Sequence, residues 1–389
     1  MHERSSRSDQ HAIREVSPKN PSSHETNESS PTPHAFNYLD KNRKEILTPL
    51  FHQFSSEPKC HVDFRLRCNL NEQIVYCLTD KIAEGADGVV YKADRCTINK
   101  RGGKIFDSTC AIKFNNPTSR SHERSQNTSE EFESLVARSR LRAHAAMHII
   151  SSDPEYHEKA SNGGFHIPKE IDGHTFVDKL SDQRISVRVM EFVEGKAIGD
   201  LLVDLSHKEG GDIEFIRCAR RMLNANHYLA SLGIYNLDVR GGEGNNLHFT
   251  KREDRGIWVA VPLDLEMVAI TKTNARSVKN SWAHDTTSFG VKNDNQLNSE
   301  VAIGLMDGIY TALTTKITES CPWYESPPLP LAALEAITNP ESRKNRRPMS
   351  IAQLNRNLGW LENLVLQNNE GQLERFIAIW EGQHFVPSL

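Results

Sequence analysis

The apolar residues of this chain follow two different rhythms. In the first half they gather in short runs rich in Val, Ile, Tyr and Phe, namely Ile74–Leu78, Gly88–Ala93, Thr109–Phe114 and Ile185–Phe192. Runs of this length and composition predict strands. Arg95–Asp107, with Lys100, Arg101, Gly102, Gly103 and Lys104, predicts a polar turn between two of them. From Glu214 the period lengthens. Ile216, Ala219, Leu223 and Ala230 recur at multiples of three and four, and Gly233 stands where a helix C-cap belongs. Further helices are predicted over Leu297–Thr315, Pro330–Ile337, Ile351–Gln367 and Leu373–Trp380. Strands followed by helices predict an α+β fold in two lobes, a β-rich N-lobe over residues 70–193 and a helical C-lobe over 194–389. No internal repeat is visible.

Composition changes this picture at the N-terminus. The first 30 residues hold eight serines and no aromatic residue. Such a stretch has too little apolar surface to offset the entropy of ordering it, so residues 1–60 are expected to be a disordered tail. It lacks the continuous apolar stretch of a secretory signal peptide, and its polar, Ser-rich character resembles the export signals of specialised bacterial secretion systems. The remaining numbers mainly exclude. A net charge of −4 from 47 basic and 51 acidic residues gives no global field favouring nucleic acid or an anionic membrane. No run approaches the roughly 18 apolar residues of a membrane span. The seven cysteines are odd in number and no two are two or three residues apart, which disfavours a disulfide framework or a zinc ribbon. Reduced thiols in a cytoplasmic setting are the expectation.

Two segments of the strand-rich part carry chemistry. Ile82-Ala83-Glu84-Gly85-Ala86-Asp87-Gly88-Val89-Val90-Tyr91-Lys92-Ala93 places two glycines between strands, where the backbone can approach phosphates with its N–H groups. The same glycines also suit a plain hairpin turn. In Cys110-Ala111-Ile112-Lys113-Phe114 a lysine ends an apolar strand. An ammonium in such a place is costly without a partner, unless it snorkels from an edge.

Together these segments resemble the nucleotide-binding half of protein kinases, in which a Gly-rich loop precedes a strand bearing Ala-x-Lys. The resemblance makes Gly85 and Gly88 the second and third loop glycines, with Ala83 in place of the first and Asp87 in place of an aromatic residue at the tip. It implies that Gly85, Gly88, Val90, Ala111 and Lys113 contact ATP. It also implies a carboxylate partner for the lysine. Glu131 in Glu131-Phe132-Glu133-Ser134-Leu135 fits that role, with Glu133 as the alternative, although Thr128 and Glu131 also fit a capping box. Val187–Gly195 resembles the hinge between the lobes. Met190 would back the adenine pocket there, and Glu191 and Val193 would offer backbone groups to the base.

After the Glu214–Leu232 helix, Tyr235-Asn236-Leu237-Asp238-Val239-Arg240-Gly241-Gly242-Glu243-Gly244-Asn245-Asn246-Leu247 resembles the kinase catalytic loop. Asp238 takes the place of the aspartate that orients the substrate hydroxyl, and Arg240 that of the cation facing the transferring phosphate. The metal-holding asparagine falls on Asn246, with Asn245 as the alternative, which implies a three-residue insertion. Asn236 and Leu237 replace the usual His and Arg. In Val261-Pro262-Leu263-Asp264-Leu265-Glu266 the lone carboxylate resembles the aspartate that binds Mg²⁺. Asp285–Gly290 and Arg347-Pro348-Met349-Ser350 resemble two further kinase motifs of the C-lobe.

The resemblance covers about residues 70–360. It implies an atypical Ser/Thr protein kinase using ATP and Mg²⁺ on a protein hydroxyl, similar to effectors that bacteria deliver into host cells, where a host protein would be the substrate or activator. Two alternatives stay open. Leu263-Asp264-Leu265-Glu266 also resembles the aminoglycoside and choline kinases, and the substituted loop residues also fit a pseudokinase scaffold.

Overall fold

The computed structural model describes residues 63–68, 72–85, 88–98, 103–115, 142–178, 183–239, 246–252, 254–271, 293–318, 321–344, 346 and 348–382. The strand-rich part builds one antiparallel sheet of six strands, β1 (Asp63–Cys68), β2 (Glu72–Gly85), β3 (Gly88–Ile98), β4 (Lys104–Asn115), β5 (Glu170–Asp178) and β6 (Gln183–Glu191), in the spatial order β1-β2-β3-β4-β6-β5. Between β4 and β5 lie helices α1 (142–151) and α2 (Tyr156–Gly163). The expected polar turn over Arg95–Asp107 is corrected here. β3 runs on to Ile98 and β4 begins at Lys104, with Thr97 paired to Ile105. Both faces are open to solvent at this end of the hairpin, with Ile105 and Phe106 each more than half exposed, and the surrounding residues are too polar to make the apolar run that marks a strand.

Beyond β6 the chain becomes helical. A two-residue strand β7 (Lys196–Ala197) leads to α3 (Ile198–Ser206) and the long α4 (Gly211–Ser231). Next come β8 (Ile234–Asn236), the hairpin β9 (Leu247–Arg252) and β10 (Ile257–Pro262), and β11 (Val268–Ile270), which pairs back onto β8. Four longer helices follow among the described residues, α5 (Asp294–Lys316), α6 (Leu329–Thr338), α7 (Ile351–Leu366) and α8 (Glu370–Trp380), with a single helical turn at Pro340–Arg343 after α6. All four lie within a few residues of the predicted bounds. Gly233, beyond the end of α4, has φ +76°, the left-handed conformation expected of a glycine there.

The fold is therefore α+β and bilobal. The sheet has its own core, in which Tyr76, Ile112, Phe114 and Val189 are buried. The helical lobe has a larger one, centred on Phe215, Ile216 and Leu223 of α4 and on Leu305, Leu334 and Leu358. At about 2 kcal/mol for each fully buried Leu, Ile or Phe, these stripes outweigh any local propensity. α7 opens on a capping box. The Ser350 hydroxyl accepts from the Gln353 N–H at 3.2 Å, and the Gln353 side chain accepts from the Ser350 N–H at 2.8 Å. The part of the Arg-Pro motif that is described thus opens a helix; Arg347 lies outside the described residues. So do residues 1–60, Asp87, Glu131, Glu133, Arg240, Asn245 and Asp285–Gly290.

Candidate active site

Strand register assembles the first half of the site. β3 and β6 flank β4, with Val90 opposite Lys113, Met190 opposite Ala111 and Arg188 opposite Lys113. Opposed residues of an antiparallel pair share a face, as do positions two apart along a strand. Val90, Ala111, Lys113 and Met190 therefore line one face of the sheet. Gly85 and Gly88 are register partners that close the β2–β3 hairpin at the same end.

Lys113 is 8% exposed, and its ammonium lies 2.7 Å from Oδ2 of Asp264, 151 positions later in the chain. Burial of a lysine demands such a carboxylate, and this pair joins the sheet to the helical lobe. Asp264 sits two residues beyond β10 with φ +54°, in the left-handed region that aspartate tolerates better than most residues. Its neighbour Leu265 is buried in the core of the helical lobe.

The loop after β8 supplies the rest. The Asn246 amide donates to the Asp238 carbonyl at 2.7 Å and to the Asp238 carboxylate at 3.3 Å. Because Leu247 is opposite Pro262 in the β9–β10 hairpin, Asn246 and Asp264 emerge at the same hairpin end. The structure thus gives two bonded pairs, Lys113 with Asp264 and Asn246 with Asp238, with Asn246 and Asp264 at the same end of the hairpin. The donor set suits Mg²⁺. The Asn246 amide turns its nitrogen onto Asp238, leaving its oxygen as a hard ligand, and the Asp264 carboxylate is a second.

Two residues gain a role that their sequence did not suggest. Asn236 is 2% exposed. Its side chain accepts from the Asp238 N–H at 3.1 Å and donates to the Leu263 carbonyl at 3.5 Å, so it pins the Asp238 loop to the residue before Asp264. Arg188, 2% exposed, stands beside Lys113 and pairs with Glu170 at 3.7 Å. A second buried cation there raises the demand for carboxylates around the lysine. The departure from the kinase pattern at Asn236 is readable as a hydrogen-bonding change. Arg188 carried no signal, because one charge in an apolar strand commonly marks an outward face.

In the hinge segment the Glu191 N–H donates to the Lys169 carbonyl at 2.8 Å, so of its two backbone groups the N–H is engaged within the protein. The Val193 backbone hydrogen-bonds His248, whose imidazole is pushed below its ordinary value by burial, with that hydrogen bond opposing the shift. Gly195 is required by packing: a Cβ there would stand 2.1 Å from the Phe249 carbonyl oxygen. Among the described residues no group of His, Cys, Asp and Glu forms a multi-ligand metal cluster, and no disulfide is present. None of the described helices is long and apolar enough to cross a membrane.

No family model and no curated protein matches the chain. Among solved structures it is similar to the kinase domain of Mycobacterium tuberculosis PknI, at 14% identity and a TM-score of 0.36, with 74% of this chain and 96% of that chain covered. A double mutant of the same domain matches at 16% identity and a TM-score of 0.32, covering 79% of this chain and 95% of that one.

Proposed function

We propose that this chain is an atypical Ser/Thr protein kinase that transfers the γ-phosphoryl group of ATP to a protein hydroxyl. The observation that carries the reading is the buried Lys113–Asp264 pair, which bonds residues 151 positions apart from the two lobes. Lys113 positions the nucleotide phosphates, and Val90, Ala111 and Met190 form the apolar surface beneath the base. Asp238 accepts the hydrogen bond of the acceptor hydroxyl and orients its oxygen. Its own place is fixed by Asn236 and Asn246. Asn246 and Asp264 would hold Mg²⁺, which would offset the charge of the nucleotide phosphates. Glu131 and Arg240 keep the roles that their sequence context suggests, as partner of Lys113 and as cation facing the transferred group. The Ser-rich N-terminal segment supports delivery into a host cell, with a host protein as acceptor.

The test is a transfer assay with Lys113→Met and Asp264→Asn. Each is expected to lower the rate by at least about 100-fold, the loss of roughly 3 kcal/mol of electrostatic stabilisation. Near-native rates in both folded variants would refute the site. A second reading, a small-molecule phosphotransferase, is favoured by Leu263-Asp264-Leu265-Glu266. It predicts transfer to an aminoglycoside or choline and none to protein.

A further inference from the structure

A cavity of about 560 Å³ opens beside Glu191, and none of Lys113, Asp238, Asn246 or Asp264 lines it. Its volume lies within the roughly 300–1,000 Å³ usual for small-ligand sites. We propose that it is a second ligand site, taking a phosphate monoester carried on an apolar body about the size of an aromatic ring.

The frame of the cavity is fixed by hydrogen bonds. The His166 N–H donates to the Ala260 carbonyl at 2.8 Å, and the Ala260 N–H to the Gly164 carbonyl at 3.0 Å. The Tyr156 hydroxyl accepts from the Ile167 N–H at 3.0 Å. Apolar surface dominates the lining. It comes from Tyr156 and Phe165 on one side and from Ile257 and Val259 of β10 on another, with Ile171 at the mouth still 39% exposed. Three cations share the same cavity, Lys169, Arg252 and Arg255.

Among the described residues, the nearby carboxylates leave that set positive. Glu191 is held by His166 at 3.0 Å and by the Lys169 N–H at 3.1 Å. Asp254 grips the Arg252 guanidinium at 3.0 and 2.6 Å, which aims it, and stands 3.9 Å from Arg255. Three cations against two carboxylates, beside two further imidazoles (His157 and His166), suit a dianion better than a single carboxylate. The ring would lie against Ile171 and Ile257, with the phosphate toward the β9–β10 turn. Because Lys169, Ile171 and Glu191 come from the sheet side and the arginines from the hairpin of the other lobe, the occupant would touch both lobes.

The experiment titrates the full chain with phenyl phosphate by calorimetry. Inorganic phosphate stands in for the headgroup and benzyl alcohol for the ring. Phenyl phosphate is expected to bind one per chain and at least about tenfold tighter than either fragment, since it joins both contacts. Lys169→Glu with Arg255→Glu, both at exposed positions, should weaken it at least about tenfold. Lys169→Gln with Arg255→Gln provides a milder pair if the reversal perturbs folding, and Lys113→Met should change nothing. No binding at millimolar phenyl phosphate would overturn the proposal. So would equal binding by inorganic phosphate, insensitivity to both charge pairs, or loss of binding in Lys113→Met. Displacement by an acidic peptide at lower concentration than phenyl phosphate would overturn the ligand class.

Discussion

Asp264 combines two constraints that can be separated by substitution. Its carboxylate neutralises buried Lys113, and its backbone occupies the left-handed region at φ +54°. Asparagine keeps the shape and tolerates that backbone; alanine keeps neither. Asp264→Ala is therefore expected to be less stable than Asp264→Asn by about 1 kcal/mol, read from urea midpoints. Both variants remove the Asp264 carboxylate from buried Lys113, so adding Lys113→Met to Asp264→Asn should recover part of the lost stability. Equal midpoints for the two single variants would show that the backbone conformation carries no cost. Asp264 was legible as a lone carboxylate after an apolar strand, and Lys113 as a lysine that needed a partner. Asn236 was not legible as a tie, because its two bonds join segments 27 positions apart, Asn236 to Leu263. Close packing was equally hidden at Gly304, where a Cβ would come within 2.7 Å of Val239 beside the Asp238 loop.

At the scale of elements, α4 and α7 are held by apolar stripes and by a cluster of charges at their contact. Glu362 of α7 accepts from Arg217 of α4 at 2.9 Å and also bonds Arg220. Burial pushes its carboxyl up, but the two guanidiniums outweigh that and hold it below its ordinary value. A depressed carboxylate contributes stability above the unfolded value of 4.5, lost as pH falls through the folded one. Glu362→Gln should therefore cost about 1–2 kcal/mol at pH 7, a melting shift of a few degrees. The gap should narrow as pH falls below 4.5 and close once it has passed through the depressed folded value. A gap that persists there would mean that the loss is one of packing. The helices from α4 onward were legible because of their periodic apolar stripes, whereas the short α1, α2 and α3 were not. β5, β8, β9 and β11 were not, being short or polar and set by partners distant in sequence: β11 exists because Val268–Ile270 finds Ile234–Asn236. The polar β3–β4 extension escaped for the same reason.

The two parts of the molecule are tied at several described places. Lys113–Asp264 joins the sheet to the helical lobe, His166 and Gly164 share backbone hydrogen bonds with Ala260 of β10, and the Asn224 amide of α4 donates to the Gly163 carbonyl. Residues 1–45 hold little apolar surface with which to join either core. Deleting them should leave melting temperature and in vitro transfer within error of the full chain, measured by calorimetry and by the transfer assay. A fall of several degrees would mean that the segment packs on the lobes. The order of motifs along the chain made the two-lobed architecture legible. What the sequence did not disclose was the cavity beside Glu191, since its cations come from separate elements that only the fold brings together.

The most direct measurement is intact-mass spectrometry of a panel of protein acceptors, and of the chain itself, after incubation with Mg·ATP. Native protein is expected to add whole phosphate masses to a serine or threonine hydroxyl, and Asp264→Asn to add at least about 100-fold less in the same time. An AMP adduct, or phosphate added equally well by Asp264→Asn, would contradict the account.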